Sequence, residues 1–195
     1  MGVAPVSRAE IQAELLRGTA SPPSKLVTLD EIVLLAESYR LAGRTVVLTN
    51  GCFDLLHVGH AAYLAEAARL GDVLVVAVNS DRSVRALKGP ERPVIPQEDR
   101  AALVAALEAV DHVVIFDEDT PQEVLRRIRP DVLVKGGTYT SEEVVGREVV
   151  RSYGGRVCVV GKIDRVSTTE IVSTIRRTTA QDSTEPPRPA VMHGS

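Results

Sequence analysis

From residue 45 onward, the chain alternates between short apolar runs and stretches in which apolar residues recur at helical spacing. The apolar runs are rich in valine, which favours strands, and we predict strands over 45–50, 72–79, 112–116, 131–135 and 156–160. The stretches between them predict helices over 60–71, 96–111, 120–129 and about 141–153. One more helix is predicted before the first strand, over 28–43, and a last one begins at 167–170.

Strands that are apolar along their whole length and are separated by helices are typical of a parallel sheet buried on both faces. We therefore predict an α/β fold: a doubly wound, Rossmann-like, five-stranded parallel sheet with helices on both faces and right-handed crossovers. Ligands of such sheets bind beyond the carboxyl ends of the strands, near the point where the strand order reverses. The loop that follows the first predicted strand should lie at that edge.

Two predicted helices begin with the pattern of a capping box, in which two side chains satisfy free N–H groups of the first turn. Thr28 and Glu31 form one such pattern. Thr120 and Glu123 form the other, with Pro121 favouring the first turn. We expect these residues to define where both helices start.

The composition divides the chain into three parts and limits its partners. Residues 1–26 are predicted to be an extension with a linker, 27–178 a single domain, and 179–195 a disordered polar tail rich in proline. The net charge of −3 predicts no broad basic face, and therefore no nucleic-acid partner. Two cysteines indicate neither a disulfide framework nor a zinc site, which favours the reducing cytoplasm. No apolar run reaches the about 18 residues of a membrane span, so no membrane association is expected.

The loop after the first strand, "TNGCFDLLHVGH" (residues 49–60), carries candidate chemistry. His57 and His60 are three residues apart at the start of a predicted helix, so they share one face near free backbone N–H groups. Gly51 and Gly59 would let a bulky anion approach the backbone. A metal pair would need a third ligand and lacks the usual spacing of zinc hydrolases. A packing role would explain either histidine alone, whereas the combination predicts a phosphate cradle.

The pattern G-x-F-D-x-x-H-x-G-H at residues 51–60 resembles the signature of the cytidylyltransferase-like nucleotidyltransferase superfamily. Residues 79–139, above all "LKGPERP" and "DVLVKGG", resemble the members that make ADP-heptose from D-glycero-D-manno-heptose 1-phosphate and ATP. The resemblance extends over about residues 27–177. It implies transfer of AMP from ATP to the sugar phosphate, with release of pyrophosphate. Many such members are fused to a sugar kinase, for which this chain has no room, so a stand-alone enzyme is expected.

The same resemblance implies a role for each matching residue. His57, His60 and Lys88 are expected to be catalytic, with Lys88 on a flexible loop after the second strand. The expected nucleotide-binding residues are Gly51, Cys52, Phe53, Gly59, Arg92, Arg100, Lys135, Gly136, Gly137, Ser167 and Thr168. Asp54 and Asp81 are expected to orient the acceptor. The expected cofactor is Mg²⁺, held mainly by the phosphates of ATP rather than by protein ligands. A homodimer is expected as well.

Several of these residues have a plain structural alternative. Lys88 and Arg92 could be solvated surface cations, and Arg100 could form a salt bridge on a helix face. Asp54 could cap a turn. Residues 134–139 could be a simple turn, and Ser167 with Glu170 forms an ordinary capping box.

Two departures from the heptose pattern leave the acceptor and the base open. Thr138 replaces an aspartate, and residues 164–166 replace a segment that contains glycine in relatives. One alternative enzyme transfers CMP or another nucleotide to a different phosphate, such as glycerol 3-phosphate. A nucleotide sensor without catalysis is an alternative from another class. A fragment of a class I aminoacyl-tRNA synthetase is disfavoured, because the chain lacks a K-M-S-K-S segment.

Overall fold

The computed structural model describes residues 24–137, 140–161, 168, 171–175 and 177. Ser167, Thr138, residues 164–166 and the predicted tail lie outside these described residues. The described chain folds around a five-stranded parallel sheet with the strand order β3-β2-β1-β4-β5. The strands are β1 (Val46–Gly51), β2 (Val73–Asn79), β3 (His112–Phe116), β4 (Val132–Gly136) and β5 (Arg156–Val160). The predicted Rossmann-like α/β fold is confirmed.

Helices connect the strands and cover both faces of the sheet. They are α1 (Leu29–Leu41), α2 (Val58–Ala68), α3 (Asp81–Lys88), α4 (Gln97–Ala105), α5 (Gln122–Ile128) and α6 (Arg147–Ser152), with a 3-10 turn at Ser141–Glu143. Residues 171–175 are also helical. No helix among the described residues is long and apolar enough to cross a bilayer.

The hydrophobic core consists of two clusters separated by the sheet. One contains buried residues of α1, α5 and α6, such as Ile32 and Leu125, together with Leu48 of β1. The other contains residues of α2 and α4, such as Leu64, and takes Val47 from the same strand. Successive residues of β1 therefore point to opposite faces, and both faces are buried. This burial explains why the strands are apolar throughout.

One of the two predicted capping boxes is present in the structure and the other is not. Thr28 and Glu31 form the predicted capping box at α1. The box predicted for Thr120 and Glu123 is wrong: α5 starts after Pro121, and no side-chain cap hydrogen bond is found there among the described residues.

Two predicted helices are shorter in the structure than in the prediction. The helix predicted over 96–111 ends at Ala105, because the carboxylate of Asp111 accepts the Leu74 N–H at 2.7 Å and draws the chain into the sheet. The helix predicted over 141–153 is interrupted at Gly146, whose φ of +94° is incompatible with a right-handed helix.

Lys88 was predicted to lie on a flexible loop, and this is wrong, since it is the last residue of α3. The hydroxyl of Ser80 caps this helix by accepting the Ser83 N–H. The sequence "DRSVRALK" is mostly polar, so it carries little of the apolar periodicity by which the other helices were predicted. The helix ends at Gly89, whose φ is +95°.

The strand order places a switch point between β1 and β4. The chain runs outward from β1 to β2 and β3, then crosses back to β4 on the other side of β1. The loops after β1 and β4 therefore diverge and leave a crevice at the carboxyl edge of the sheet, where ligands of this fold class bind. The loop with both histidines opens into this crevice, as predicted.

Candidate active site

A cleft with two adjoining lobes lies at the switch point. The smaller lobe, of ≈ 250 Å³, is bounded by the start of α2 and the end of β4. The larger lobe, of ≈ 540 Å³, extends over the ends of β1, β2 and β3. Residues of both lobes form the junction, which we define as Asn50, Gly51, Cys52, Phe53, His60 and Lys135. Ligands in the two lobes would meet at this junction.

The structure brings most of the predicted site residues together in this cleft. His57, Gly59, Gly136 and Gly137 line the smaller lobe. Lys88, Arg92, Asp54 and Thr168 line the larger lobe.

His57 is the N-cap residue of α2. Its Nδ1 atom accepts the backbone N–H of Gly59 at 3.1 Å. Since Nδ1 is the acceptor, the proton of the neutral ring must be on Nε2, which becomes a hydrogen-bond donor. Burial lowers the pKa of His57, which favours this neutral form. The predicted imidazole donor is therefore oriented by the helix that follows it.

His60 packs between His57 and Phe53, with ring centroids 3.9 Å and 5.3 Å away. Burial and the neighbouring His57 lower the pKa of His60 to about 4. Its Nδ1 atom is buried and has no hydrogen-bond partner among the described residues. Such an unpaired buried polar atom lowers the stability of the folded protein.

The wall of the smaller lobe depends on close packing around Tyr63. A Cβ atom on Gly136 would come within 2.8 Å of the Tyr63 ring, so only glycine fits there. The Tyr63 hydroxyl contacts Thr49 and donates to Val134 O at 3.3 Å. This arrangement holds the backbone of Gly136 and Gly137 at the lobe surface. Residues 134–137 thus have a more specific role than a simple turn.

Lys135 brings a cation to the junction of the two lobes. Its Nζ atom donates to the Asn50 carbonyl at 3.0 Å, which links the ends of β4 and β1. Burial lowers the pKa of Lys135. Cys52 lies beside it, and burial raises the pKa of its thiol. A neutral thiol is a weak nucleophile, so packing or weak hydrogen bonding is the role that suits the Cys52 side chain.

Asp54 holds a wall of the larger lobe. Its carboxylate accepts the N–H groups of Val94 and Ile95, at 2.7 and 3.1 Å, and pairs with Arg92. The side chain is almost completely buried. This is the turn-fixing alternative raised for Asp54, and it also orients Arg92 within the cleft.

Arg100 and Asp81 are not among the described residues that line the cleft. They lie in the layer of residues beneath its surface. Arg100 is fully buried and donates to the carboxylate of Asp81 at 2.8 Å, and also to the Cys52 carbonyl. The salt-bridge alternative for Arg100 is therefore the one that the structure shows. Both residues support the junction from behind.

Sequence reasoning missed several residues that line the cleft. In the smaller lobe they include Tyr63 and Gly161, and in the larger lobe they include Asn79, Asp119, Thr120 and Glu143. A signal existed for one of them: Asn79 is a polar residue that ends an otherwise apolar strand, and strand ends meet at the binding edge of such a sheet.

The described residues contain no group of three His, Cys, Asp or Glu side chains that could hold a metal ion. The cleft instead presents imidazole, ammonium and guanidinium groups from His57, His60, Lys135, Lys88 and Arg92. These groups suit a polyanion. A metal ion that accompanies such an anion would find its oxygen ligands on the anion itself.

The family model described as Cytidylyltransferase-like matches residues 48–183, which include most of β1, the histidine loop and both lobes of the cleft. The chain belongs to the cytidylyltransferase-like family. Members of this family generally use a divalent metal ion with the nucleotide.

Curated relatives of this cytidylyltransferase-like chain are much longer. The bifunctional protein HldE of Geotalea uraniireducens is 52% identical over 176 residues, which cover 90% of this chain and 36% of that protein. HldE of Gluconobacter oxydans is 52% identical over 171 residues, or 88% of this chain and 36% of the relative. The chain thus spans about a third of the length of these relatives.

A solved structure shares the fold. It is the lipopolysaccharide core biosynthesis protein from Thermoplasma volcanium, with a TM-score of 0.54 and 29% sequence identity. The match covers 63% of this chain and 100% of that one.

Proposed function

We propose that this nucleotidyltransferase transfers AMP from ATP to a heptose 1-phosphate and releases ADP-heptose and pyrophosphate. The observation that carries the proposal is the two-lobed cleft, in which cationic and imidazole groups line the junction of the lobes. Identity of about half with HldE proteins over most of the chain supports it. So do the segments "LKGPERP" and "DVLVKGG", which resemble those of enzymes that form ADP-heptose.

In this proposal ATP occupies the smaller lobe, with its α-phosphate at the junction, and the sugar phosphate occupies the larger lobe. An oxygen of the sugar phosphate attacks the α-phosphorus, and the bond to the bridging oxygen of pyrophosphate breaks on the opposite side. Both reactants are anions, so catalysis consists mainly of positioning and charge neutralisation. The junction supplies both.

The proposed roles follow from the hydrogen bonds of each side chain. His57 donates from Nε2, because Nδ1 is already bonded to Gly59. His60 binds a phosphate oxygen with its partly buried ring. Lys135 brings a positive charge to the phosphorus that both lobes share, and Lys88 does so from the larger lobe. These donors stabilise the charge that develops in the transition state.

The metal ion proposed for the reaction is Mg²⁺, which arrives with ATP. Phosphate oxygens and water are its main ligands, since Mg²⁺ keeps several waters in most ATP sites. When bound with ATP, it would neutralise part of the charge on the phosphates. In this proposal the side chains of the protein bind the nucleotide and not the metal ion.

Pyrophosphate release tests the proposed reaction. Purified protein is incubated with MgCl₂, one of ATP, CTP or GTP, and one of heptose 1-phosphate, mannose 1-phosphate or glycerol 3-phosphate. We expect the fastest turnover with ATP and heptose 1-phosphate, and no turnover in EDTA. Faster turnover with CTP and glycerol 3-phosphate would replace this function with the cytidylyl alternative. Binding of ATP without turnover of any acceptor would instead support a sensor.

The homodimer proposed for the protein rests on the resemblance, and the proposed location rests on the two cysteines, which predict no disulfide framework. We propose a homodimer in the cytoplasm. Light scattering on the eluting peak of a sizing column gives the mass in solution, and a value equal to one chain would refute the dimer.

A further inference from the structure

The larger lobe contains acceptor groups for which the proposed function has assigned no role. We propose that Asn79 and Asp119 recognise hydroxyl groups of the acceptor sugar and thereby set the specificity of the larger lobe. The inference rests on the proposed function, because it concerns the acceptor of that reaction. It assigns a substrate contact to two residues that were not among the predicted site residues.

Asn79 is the last residue of β2 and is only 4% exposed, yet it lines the larger lobe. Its Nδ2 atom donates to the Ser83 hydroxyl at 2.8 Å, which fixes the plane of the amide. Its Oδ1 atom is not among the buried polar atoms without a partner in the described part of the chain. An amide oxygen at the lobe surface accepts hydrogen bonds, so it suits a sugar hydroxyl as donor.

Asp119 lies on the loop after β3 and also lines the larger lobe. Its nearest cation is Arg82, at 3.7 Å, but that guanidinium is directed to Asp117 at 2.8 Å. The Asp119 side chain keeps 67% of its surface exposed. An ionised carboxylate only accepts hydrogen bonds, so it suits hydroxyl donors and repels phosphate.

The strand order determines how the acceptor would lie in the larger lobe. His60 lies in the first turn of α2, which follows β1, and Lys135 is near the end of β4, whereas Asn79 ends β2 and Asp119 follows β3. Since neighbouring strands are about 4.8 Å apart, the end of β3 lies about 10 Å from that of β1. The groups of the cleft thus change from phosphate-binding donors to acceptors across the sheet edge. A sugar phosphate fits with its phosphate at β1 and its hydroxyls towards β3.

The variants Asp119→Ala and Glu118→Ala test the inference as a matched pair. Glu118 is the neighbouring exposed carboxylate and is not among the lining residues of either lobe in the described part of the chain. Steady-state pyrophosphate release gives the KM for heptose 1-phosphate and for MgATP. For Asp119→Ala we expect the KM for heptose 1-phosphate to rise about 10- to 100-fold, as expected for loss of a hydrogen bond to a charged group. The KM for MgATP should change less than about twofold, and Glu118→Ala should leave both constants unchanged.

Glycerol 3-phosphate, used as a competitor of heptose 1-phosphate, separates contact with the sugar from a general disturbance. Its short chain does not reach from β1 to β3, so its inhibition constant should be the same for wild type and Asp119→Ala. Asn79→Ala should raise the KM for heptose 1-phosphate about tenfold, as for loss of a hydrogen bond between neutral groups. Its thermal unfolding and its KM for MgATP show whether the fold is intact.

The outcomes distinguish the inference from the function on which it rests. Wild-type turnover combined with equal constants for Asp119→Ala and Glu118→Ala would overturn the inference alone. A rise in the KM for MgATP as large as that for the sugar phosphate would also overturn it, since the effect would not be confined to the acceptor. Absence of wild-type turnover with every sugar 1-phosphate would overturn both.

Discussion

Arg100 and Asp81 form an ion pair at 2.8 Å, in which the guanidinium is completely buried. The pair joins α4 to the first residue of α3, and Arg100 also donates to the Cys52 carbonyl in the loop after β1. One side chain therefore connects three segments that surround the junction of the two lobes. We therefore expect Arg100 to influence activity by holding these three segments in position, and not by contacting a substrate.

Arg100→Met should destabilise the protein by about 3–5 kcal/mol, because it leaves a carboxylate and buried carbonyl groups without their donor. The free energy of unfolding in urea measures this loss. Arg82→Met is the matched control, since Arg82 forms an exposed ion pair with Asp117, and we expect no measurable change there. Equal effects of the two substitutions would contradict a structural role for the buried pair.

His57→Ala and His60→Ala should each lower kcat for pyrophosphate release about 100- to 1,000-fold, as expected for the loss of a donor to the transition state. His112→Gln is the control, because His112 bonds to Tyr39 at the start of β3, at the opposite edge of the sheet. Its kcat should stay close to that of the wild type. An unchanged kcat in both cleft variants would show that neither histidine contributes to catalysis.

The stability of the protein should fall as the pH is lowered from 7 to 5. The pKa of His60 is lowered to about 4 in the folded protein, from an ordinary value of 6.5. Between these values the unfolded chain binds more protons, so acid favours unfolding. The pKa values of His57 and His112 are also lowered in the folded protein, so these residues likewise reduce its stability as the pH falls.

His60→Gln should reduce this dependence on pH. Melting temperatures of the wild type and the variant at pH 5, 6 and 7 provide the comparison, and only the slope matters. An equally steep slope in His60→Gln would show that the buried ring does not carry the effect. Binding of ATP should make the wild-type slope shallower, because phosphates favour the protonated imidazole.

Lys135→Met should remove most of the activity while the protein remains folded. The buried ammonium would be replaced by an apolar chain of similar length, which proteins tolerate well. We expect kcat to fall about 100- to 1,000-fold, since a charge at the reacting phosphorus is lost. Lys25→Met is the control, because Lys25 donates to Leu107 O and is not among the described lining residues of the cleft. A change in KM for MgATP without a change in kcat would make Lys135 a binding residue only.

The sequence predicted the sheet well, because β-branched runs buried on both faces leave a strong local pattern. The predicted strands 112–116 and 156–160 match β3 and β5 residue for residue. The histidine loop was also predictable, since its residues are contiguous. Both predictions depend on information that lies within a dozen residues.

The remaining features depend on contacts between distant segments. Asp119 enters the cleft because β3 packs beside β2, and no local pattern marks it. Asp54 turns towards residues 92–95 because the backbone N–H groups of that segment face it, about forty positions along the chain. Helix α3 was missed because it is only eight residues long and its buried face consists of Ser83 and Val84, which is too short an apolar pattern to recognise locally. Such features require the three-dimensional arrangement.

The junction shared by the two lobes affects the last step of the proposed reaction, which is release of the product. A nucleotide sugar joins the occupants of both lobes into one molecule and fills them simultaneously. One joined molecule loses its translational and rotational entropy only once on binding, whereas two separate ligands lose it twice. The product should therefore bind more tightly than either half separately. We therefore expect departure of this product, rather than bond formation, to limit the turnover rate, and a stable analogue of it to be a strong inhibitor.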